Sequence, residues 1–263
     1  MDKRIEIINK VYNECAEDTR LARSRHGQLE YLTTTKYIHQ IIPEKASIAE
    51  IGAGTGKYSI ALAKEGYDVT AIELADANLE RLRQNSRGLR NITSYQGDAL
   101  DLSRFQDNTF DLTLVLGPLY HLYHKKDQQK ALDEAIRITK VGGAIMAAFL
   151  SVHAILFDNY LQGNLRAGIE ENFTEDYQIK HFTEQVFTGF DIDEFEALFE
   201  NKPVEWITTA ATDSILELAE GRADFSMSDE DFRSFAKYHL HNCEKRELLG
   251  CSSHLLYICR KCS

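Results

Sequence analysis

The apolar positions of this chain change their period several times, and each change predicts an element. Over residues 4–42, Ile5, Ile8, Val11 and Tyr12, and later Tyr37, Ile38 and Ile41, fall mostly at helical spacing, and Pro43 closes the section. Short apolar runs then alternate with amphipathic ones. SIAEI reads as a strand, followed by a glycine-rich turn and a helix over KYSIALAKEGY. DVTAIEL reads as a strand, DANLERLRQN as a helix, NITSYQ as a strand and FDLTLVL as a strongly apolar strand. KKDQQKALDEAIRITK predicts a helix with Ala131, Leu132, Ala135 and Ile136 on one face and Gly142-Gly143 as its stop, after which AIMAAFL is a strand again. Strands alternating with helices argue a parallel sheet covered on both faces.

After residue 151 the rhythm breaks. Residues 152–190 are rich in Phe, Tyr and His, and their helical period is irregular. DIDEFEALFEN restores a helix and VEWITTAATD a strand; SDEDFRSFAKYHL opens with a serine cap before acidic first-turn residues, and HLLYICRK ends the chain as a strand. The expected fold class is α/β: a Rossmann-like, seven-stranded, mostly parallel sheet with helices on both faces, an N-terminal helical lid and an inserted cap. The lid is assigned to residues 1–43, the core to 44–151 and 191–263, and the cap, over the sheet's C-terminal edge, to 152–190.

Composition narrows the partners. A chain of 263 residues, 43% hydrophobic and 27% charged, is ordinary for a soluble globular protein that buries a real core. Its formal charge of −11 disfavours a nucleic-acid partner, because that affinity rests on Lys and Arg neutralising phosphates. MDKRIEIINKVYNECAEDTR has no apolar signal-peptide core, and AIMAAFL is too short to cross a bilayer, so a cytoplasmic protein with no membrane partner is expected. Of five cysteines, Cys243, Cys251, Cys259 and Cys262 crowd the C-terminus. Cys259 and Cys262 form a C-x-x-C pair that would be half a zinc site. No second pair exists and Cys259 falls inside the last strand, as a small buried hydrophobe does, so no metal is expected.

The chemistry concentrates at the carboxyl ends of the predicted strands, where open α/β sheets bind ligands. AEIGAGTGKYS places Glu50 ahead of Gly52, Ala53, Gly54, Thr55 and Gly56. Glycine lets the backbone turn sharply and a ligand approach it closely. Glu73 ends the second strand, 21 residues after Gly52, where an acid can accept both hydroxyls of a ribose. Asp98 and Ala99 follow the third strand and LGPLYHL the fourth. A dinucleotide dehydrogenase also uses glycines and a ribose acid, but its G-x-G-x-x-G would need glycine where Lys57 stands. Glu50 would also repel a pyrophosphate, whereas it suits a cationic ligand.

Together these residues resemble a class I S-adenosylmethionine-dependent methyltransferase of the small-molecule type. The match covers residues 46–151 well and the last helix–strand pairs loosely; E-x-G-x-G-x-G, the second-strand acid and G-D-A fall in the family's order and spacing. The resemblance implies S-adenosylmethionine as cofactor, with Gly52 to Gly56 against its methionine part and Glu50 near its amino group. It implies that Glu73, followed by Leu74, holds the ribose, Asp98 the adenine amino group and the Ala99 N–H a ring nitrogen. Leu116 and Gly117 would line the methionine, and the following residues would face the acceptor. ECAEDTRLARSRHGQLEYLTTTKYI resembles the N-terminal lid of a bacterial subgroup. Enzymes that methylate exocyclic amines of bases often carry Asn or Asp-Pro-Pro-Tyr at the fourth motif; here it is Gly117-Pro118-Leu119-Tyr120, which argues against that substrate.

The candidate catalytic residues are His121, as general base or pocket-shaping group, and Tyr120. The alternative for the tyrosines and histidines of YHLYH is packing and solvation. A base helps only where the acceptor loses a proton during transfer. The aromatics Phe173, Tyr177, Phe182, Phe187 and Phe190 supply a core for the insert and material for an aromatic or apolar acceptor pocket. The expected activity is methyl transfer to a small-molecule acceptor, releasing S-adenosylhomocysteine. Methylation of protein or RNA side groups and non-catalytic cofactor binding remain as alternatives, and nothing in the sequence bears on oligomeric state.

Overall fold

The computed structural model describes residues 3–14, 17–182 and 186–262. Helix α1 (Lys3–Glu14) is followed by a 3-10 turn, α2 (Arg20–Arg23) and α3 (Arg25–Ile41). The alternating core then runs β1 (Ser47–Ile51), α4 (Lys57–Lys64), β2 (Asp68–Glu73), α5 (Asp76–Asn85), β3 (Ile92–Gln96), β4 (Phe110–Val115), α6 (Lys125–Ile138) and β5 (Thr139–Leu150). The inserted stretch carries α7 (Val152–Tyr160) and α8 (Leu165–Asn172). The chain closes with α9 (Ile192–Glu196), β6 (Val204–Ala211), α10 (Leu216–Glu220), α11 (Asp229–Asn242), α12 (Arg246–Leu249) and β7 (His254–Lys261).

The seven strands form one sheet in the order β3-β2-β1-β4-β5-β7-β6. The first five in that order pair in parallel, and β7 runs antiparallel between β5 and β6. Ile48, Leu112, Leu114, Ile145 and Met146 are fully buried. Strands covered on both faces have no solvated side to carry polar residues, hence their near-continuous apolar runs. Strand order reverses between β1 and β4, which puts the ends of these two strands at the topological switch point.

The glycine pair does not stop α6. The helix ends at Ile138 and β5 begins at Thr139, running through both glycines. Thr139 Oγ1 donates to the Ala135 carbonyl at 2.7 Å and meets Thr113 Oγ1 at 2.7 Å, so its side chain closes the helix and joins β4 at once. Gly142, at φ +78, lies within β5, whose pairing with β4 shifts register between Phe110 and Leu112.

The outer segments pack on one end of the sheet. Asn9 of α1 accepts the Asp76 N–H at the start of α5, at 3.1 Å. Leu29 of α3 packs with Leu216 of α10 and with Phe232 and Ala236 of α11, so residues between β6 and β7 brace the lid. Ser228 caps α11 by accepting the Asp231 N–H. The insert has a small core of its own, Val152, Leu156 and Phe173. Phe190 belongs to the main core, whereas Phe187 and Tyr177 are exposed.

Candidate active site

The glycine loop leaves β1 and turns back on the sheet at once. The N–H groups of Gly52 and Ala53 both donate to the Ile72 carbonyl, at 2.8 and 3.0 Å. Gly52 has φ +74, and a Cβ there would lie 2.7 Å from Pro118 Cδ. Glycine is therefore required twice at this position, for the left-handed backbone and for the contact with the segment after β4. Gly56, at φ +91, sits at the N-terminus of α4.

One cleft gathers the predicted residues. Glu50, Gly52, Ala53, Gly54, Thr55, Glu73, Leu74, Asp98, Ala99, Leu116, Gly117, Tyr120 and His121 all line it. Gly56 does not; a Cβ on it would press against Ile60 and Leu82, on the helix side of the loop. Helix α1 contributes residues that the sequence pattern marks only as part of a helix. Arg4, Ile8 and Tyr12 line the cleft from α1, and their spacing of four puts them on one helix face. The Arg4 guanidinium pairs with the Asp98 carboxylate, whose other oxygen accepts the Leu100 N–H at 3.1 Å.

The carboxylates of the cleft are tied to its backbone. Glu73 takes the Gly54 N–H on one oxygen at 2.7 Å and the Ala75 N–H on the other at 2.8 Å, so the acid ending β2 holds the middle of the glycine loop. Burial raises its pKa, and the backbone donors oppose the rise. Glu50 is buried and accepts the Ser59 N–H at 2.9 Å together with the Ser59 hydroxyl. Burial is the main influence on its carboxyl and pushes it up to about 7, against the Ser59 hydrogen bonds. A cation in the cleft would favour the charged form.

His121 and Tyr120 occupy a short 3-10 turn after β4 (Pro118–His121). His121 Nδ1 lies 2.7 Å from the Val186 carbonyl and Nε2 lies 2.9 Å from Tyr12 Oη. A carbonyl only accepts, so Nδ1 carries the proton and Nε2 accepts from the tyrosine. Burial lowers the imidazole to about 4, which leaves the ring neutral at physiological pH. Burial raises the Tyr12 phenol well above its ordinary value, keeping it a donor. Tyr120 donates its hydroxyl to the Leu116 carbonyl at 2.9 Å, and its own carbonyl accepts the Thr188 N–H at 2.7 Å. His121 and Tyr120 thus connect α1, the segment after β4 and residues 186–188.

Beside the cleft lies a second cavity of about 600 Å³, walled by the lid, the insert and the start of β7. Tyr12, Glu17, Arg20 and Tyr120 face both spaces. Arg20 is committed within the protein: it pairs with both oxygens of Glu30, at 2.7 and 3.0 Å, and with Glu17 at 3.2 Å. Burial would raise the Glu30 carboxyl, but the Arg20 guanidinium outweighs it and holds it at about 2. Arg25 pairs with Asp229, and His26 Nδ1 lies 2.6 Å from Glu220.

Asp213, Glu217 and His254 bring ligand-type atoms within 4.8 Å of one another. Asp213 is fully buried and accepts the Ser253 N–H at 3.0 Å and His254 Nδ1 at 2.7 Å, besides the Ser252 hydroxyl. Burial lowers the His254 ring, but Glu30 and Asp213 outweigh it and push it up to about 9. Asp213 and His254 accordingly form an internal ion pair in which both Asp213 oxygens are engaged, and Glu217 stands 3.9 Å from His254 Nδ1. Cys243 and Cys259 are buried, Cys251 and Cys262 exposed, all four free; Cys15 lies outside the described residues.

Residues 48–143 match a family described as "Methyltransferase domain". Over those residues the chain carries a methyltransferase domain. It is 31% identical over 113 residues to a putative methyltransferase, YqeM, of Bacillus subtilis, a match covering 43% of this chain and 45% of that one. It is 35% identical over 120 residues to the ubiquinone/menaquinone biosynthesis C-methyltransferase UbiE of Zymomonas mobilis, covering 44% and 48%. The chain thus spans about half the length of the curated relatives it matches. A solved S-adenosylmethionine-dependent methyltransferase of Thermotoga maritima shares the fold over 99% of this chain and 100% of its own, with a TM-score of 0.60 at 18% identity.

S-adenosylmethionine is the cofactor that the methyltransferase domain implies, and the cleft suits it. Glu17, Asp18, Glu50, Glu73 and Asp98 line the cleft against Arg4, Arg20 and Lys57, and Arg4 and Arg20 are already paired with acids. That balance favours a ligand with an ammonium and a sulfonium over one with a pyrophosphate. No helix among the described residues is long and apolar enough to cross a membrane.

Proposed function

We propose that this protein transfers the methyl group of S-adenosylmethionine to a small-molecule acceptor and releases S-adenosylhomocysteine. One observation carries the reading: the cavity beside the cleft is open and shares a wall with it, so an acceptor held there meets the cofactor's reactive end at Tyr12 and Tyr120. A filled cap would have favoured cofactor binding without catalysis. When bound, the cofactor would supply a methyl group on a positively charged sulfur, the carbon–sulfur bond breaking as an aligned nucleophile of the acceptor bonds to the methyl carbon and the thioether leaves.

The chain's own residues bind, align and exclude water. Glu50 would take the amino group of the methionine part, with Gly52, Ala53, Gly54, Thr55, Leu116 and Gly117 around it. Glu73, followed by Leu74, would accept the ribose hydroxyls on the free lone pairs of a carboxylate already fixed by the loop. Asp98 and Ala99 would take the adenine edge. The Arg4 pairing gives Asp98 a second role, holding α1 across the cleft. Gly56 supports the loop through the start of α4. Alignment alone supplies much of what such a transfer needs.

The decisive experiment for this reading is calorimetric titration. S-adenosylhomocysteine should bind in the cleft, and NAD should show no comparable binding. Tight NAD binding without any response to the adenosyl ligand would overturn it. A screen of small metabolites with methyl-labelled cofactor then identifies the acceptor.

His121 is proposed to shape the acceptor side of the site. Its Nε2 lone pair is engaged by Tyr12, and its Nδ1–H faces a carbonyl where a dedicated base usually has an acidic partner. His121→Ala should raise the KM for the acceptor severalfold, leave S-adenosylhomocysteine affinity nearly unchanged and introduce no new pH dependence. A fall in kcat that shrinks at high pH, where an acceptor hydroxyl ionises unaided, would instead establish it as a base.

A further inference from the structure

Among the described residues, one that lines the acceptor cavity, Asp158, holds a buried oxygen with nothing bonded to it. Asp158 lines the cavity from α7, and its Oδ2 accepts the Ser253 hydroxyl at 2.8 Å. Its Oδ1 is buried and has no hydrogen-bond partner among the described residues. A carboxylate oxygen withdrawn from water without a donor costs free energy that an incoming N–H would recover.

The cavity's charges single out the kind of donor. The basic side chains facing it are largely engaged within the protein: Arg20 with Glu30 and Glu17, His26 with Glu220 and His254 with Asp213. Arg23 lies exposed at the rim. The neighbouring acid Glu217 is not satisfied in the same way, since its oxygens lie 4.0 Å from His26 Nε2 and 3.9 Å from His254 Nδ1, beyond hydrogen-bond length. Burial, then Glu217 and Asp213, push the Asp158 carboxyl up to about 6, although Ser253 opposes the rise. A positive group placed there would remove that strain, and an anionic one would add to it.

The rest of the wall is aromatic on the side facing the cofactor. Tyr12 and Tyr120 belong to both spaces, and Phe187 packs beside Tyr120 with ring centroids 5.9 Å apart. Asp158 does not line the cofactor cleft. An acceptor spanning the cavity would therefore lay an apolar or aromatic part against the tyrosines and turn its polar end away from them.

We propose that Asp158 anchors a cationic amine of the acceptor, so that a nucleophilic atom carried on the aromatic far end of that molecule is presented for methylation. This rests on the reading of the cavity as the acceptor site of a methyltransferase. Asp158 is on this view a substrate-positioning residue that selects arylalkyl amines over neutral and acidic molecules of the same shape.

The test is calorimetric titration of the full chain, saturated with S-adenosylhomocysteine, with 2-phenylethylammonium, 2-phenylethanol and phenylacetate. The ammonium should bind about tenfold tighter than the alcohol, as one charge-assisted hydrogen bond allows, and phenylacetate should bind weakest. Asp158→Asn, which keeps the size of the side chain, should bring the ammonium to within about twofold of the alcohol and leave S-adenosylhomocysteine affinity unchanged. Equal binding of ammonium and alcohol by the unmodified protein overturns the proposal, and this arm does not depend on the variant folding. So does a variant that keeps the ammonium preference. Failure of S-adenosylhomocysteine to bind counts against the methyltransferase reading instead, and the same probes on the unloaded chain then decide Asp158 separately.

Discussion

Glu73→Ala should weaken S-adenosylhomocysteine binding by about a hundredfold, since hydrogen bonds to a charged group contribute about 1.5–3 kcal/mol each and a tenfold change is about 1.4 kcal/mol. The loss has two sources. The variant removes the acceptor for the ribose hydroxyls, and it frees the N–H groups of Gly54 and Ala75 that the carboxylate now holds at 2.7 and 2.8 Å. Glu73→Gln separates them. Its amide oxygen can still accept from one backbone donor, but its NH2 faces the other, so its affinity should fall between that of wild type and the alanine variant. Calorimetry measures the affinities, and circular dichroism checks that the sheet persists. An unchanged dissociation constant in the alanine variant would show that the acid serves the loop alone.

The part of the candidate site built from consecutive residues is legible in the sequence. Three glycines at alternate positions, an acid before them and an acid ending the next strand describe local backbone and register, which the sequence states directly. The sheet followed for the same reason, because strands buried on both faces advertise themselves as apolar runs. The end of α6 did not. Gly142-Gly143 is an ordinary helix stop, but the β-branched Thr139 turned the chain into β5 earlier, and the glycine flexibility went into the strand instead. Arg4 was invisible as a site residue because its partner, Asp98, is 94 residues away. Only its place on one face with Ile8 and Tyr12 could have suggested it. Asp158 was hidden likewise: no period in one segment encodes a cavity assembled from many, among them α1, α2, α7, α8, α10 and the start of β7.

The buried ion pair between the lid segments carries the other large effect. Glu30→Gln should destabilise the protein by about 3 kcal/mol, the equivalent of lowering a carboxyl from an ordinary 4.5 to about 2 in the folded state. The sign follows from the direction of that shift. A depressed folded pKa stabilises fully above the unfolded value, and the contribution is lost as pH falls from about 4.5 toward 2. Wild type should therefore lose stability over this range with a slope that the glutamine variant partly lacks, so the gap between the two should narrow with acid. Urea unfolding at neutral pH and at about pH 4 measures both. Equal midpoints at neutral pH would mean that Arg20 and Glu30 interact no better folded than apart. The pair also connects stability to function. Arg20 faces both the cleft and the acceptor cavity, and its grip on Glu30 holds α2 against α3 where the two spaces meet. Losing Glu30's charge leaves the partly buried Arg20 with Glu17 as its acid partner and loosens that wall. The glutamine variant should accordingly bind the acceptor more weakly even at temperatures where it stays folded.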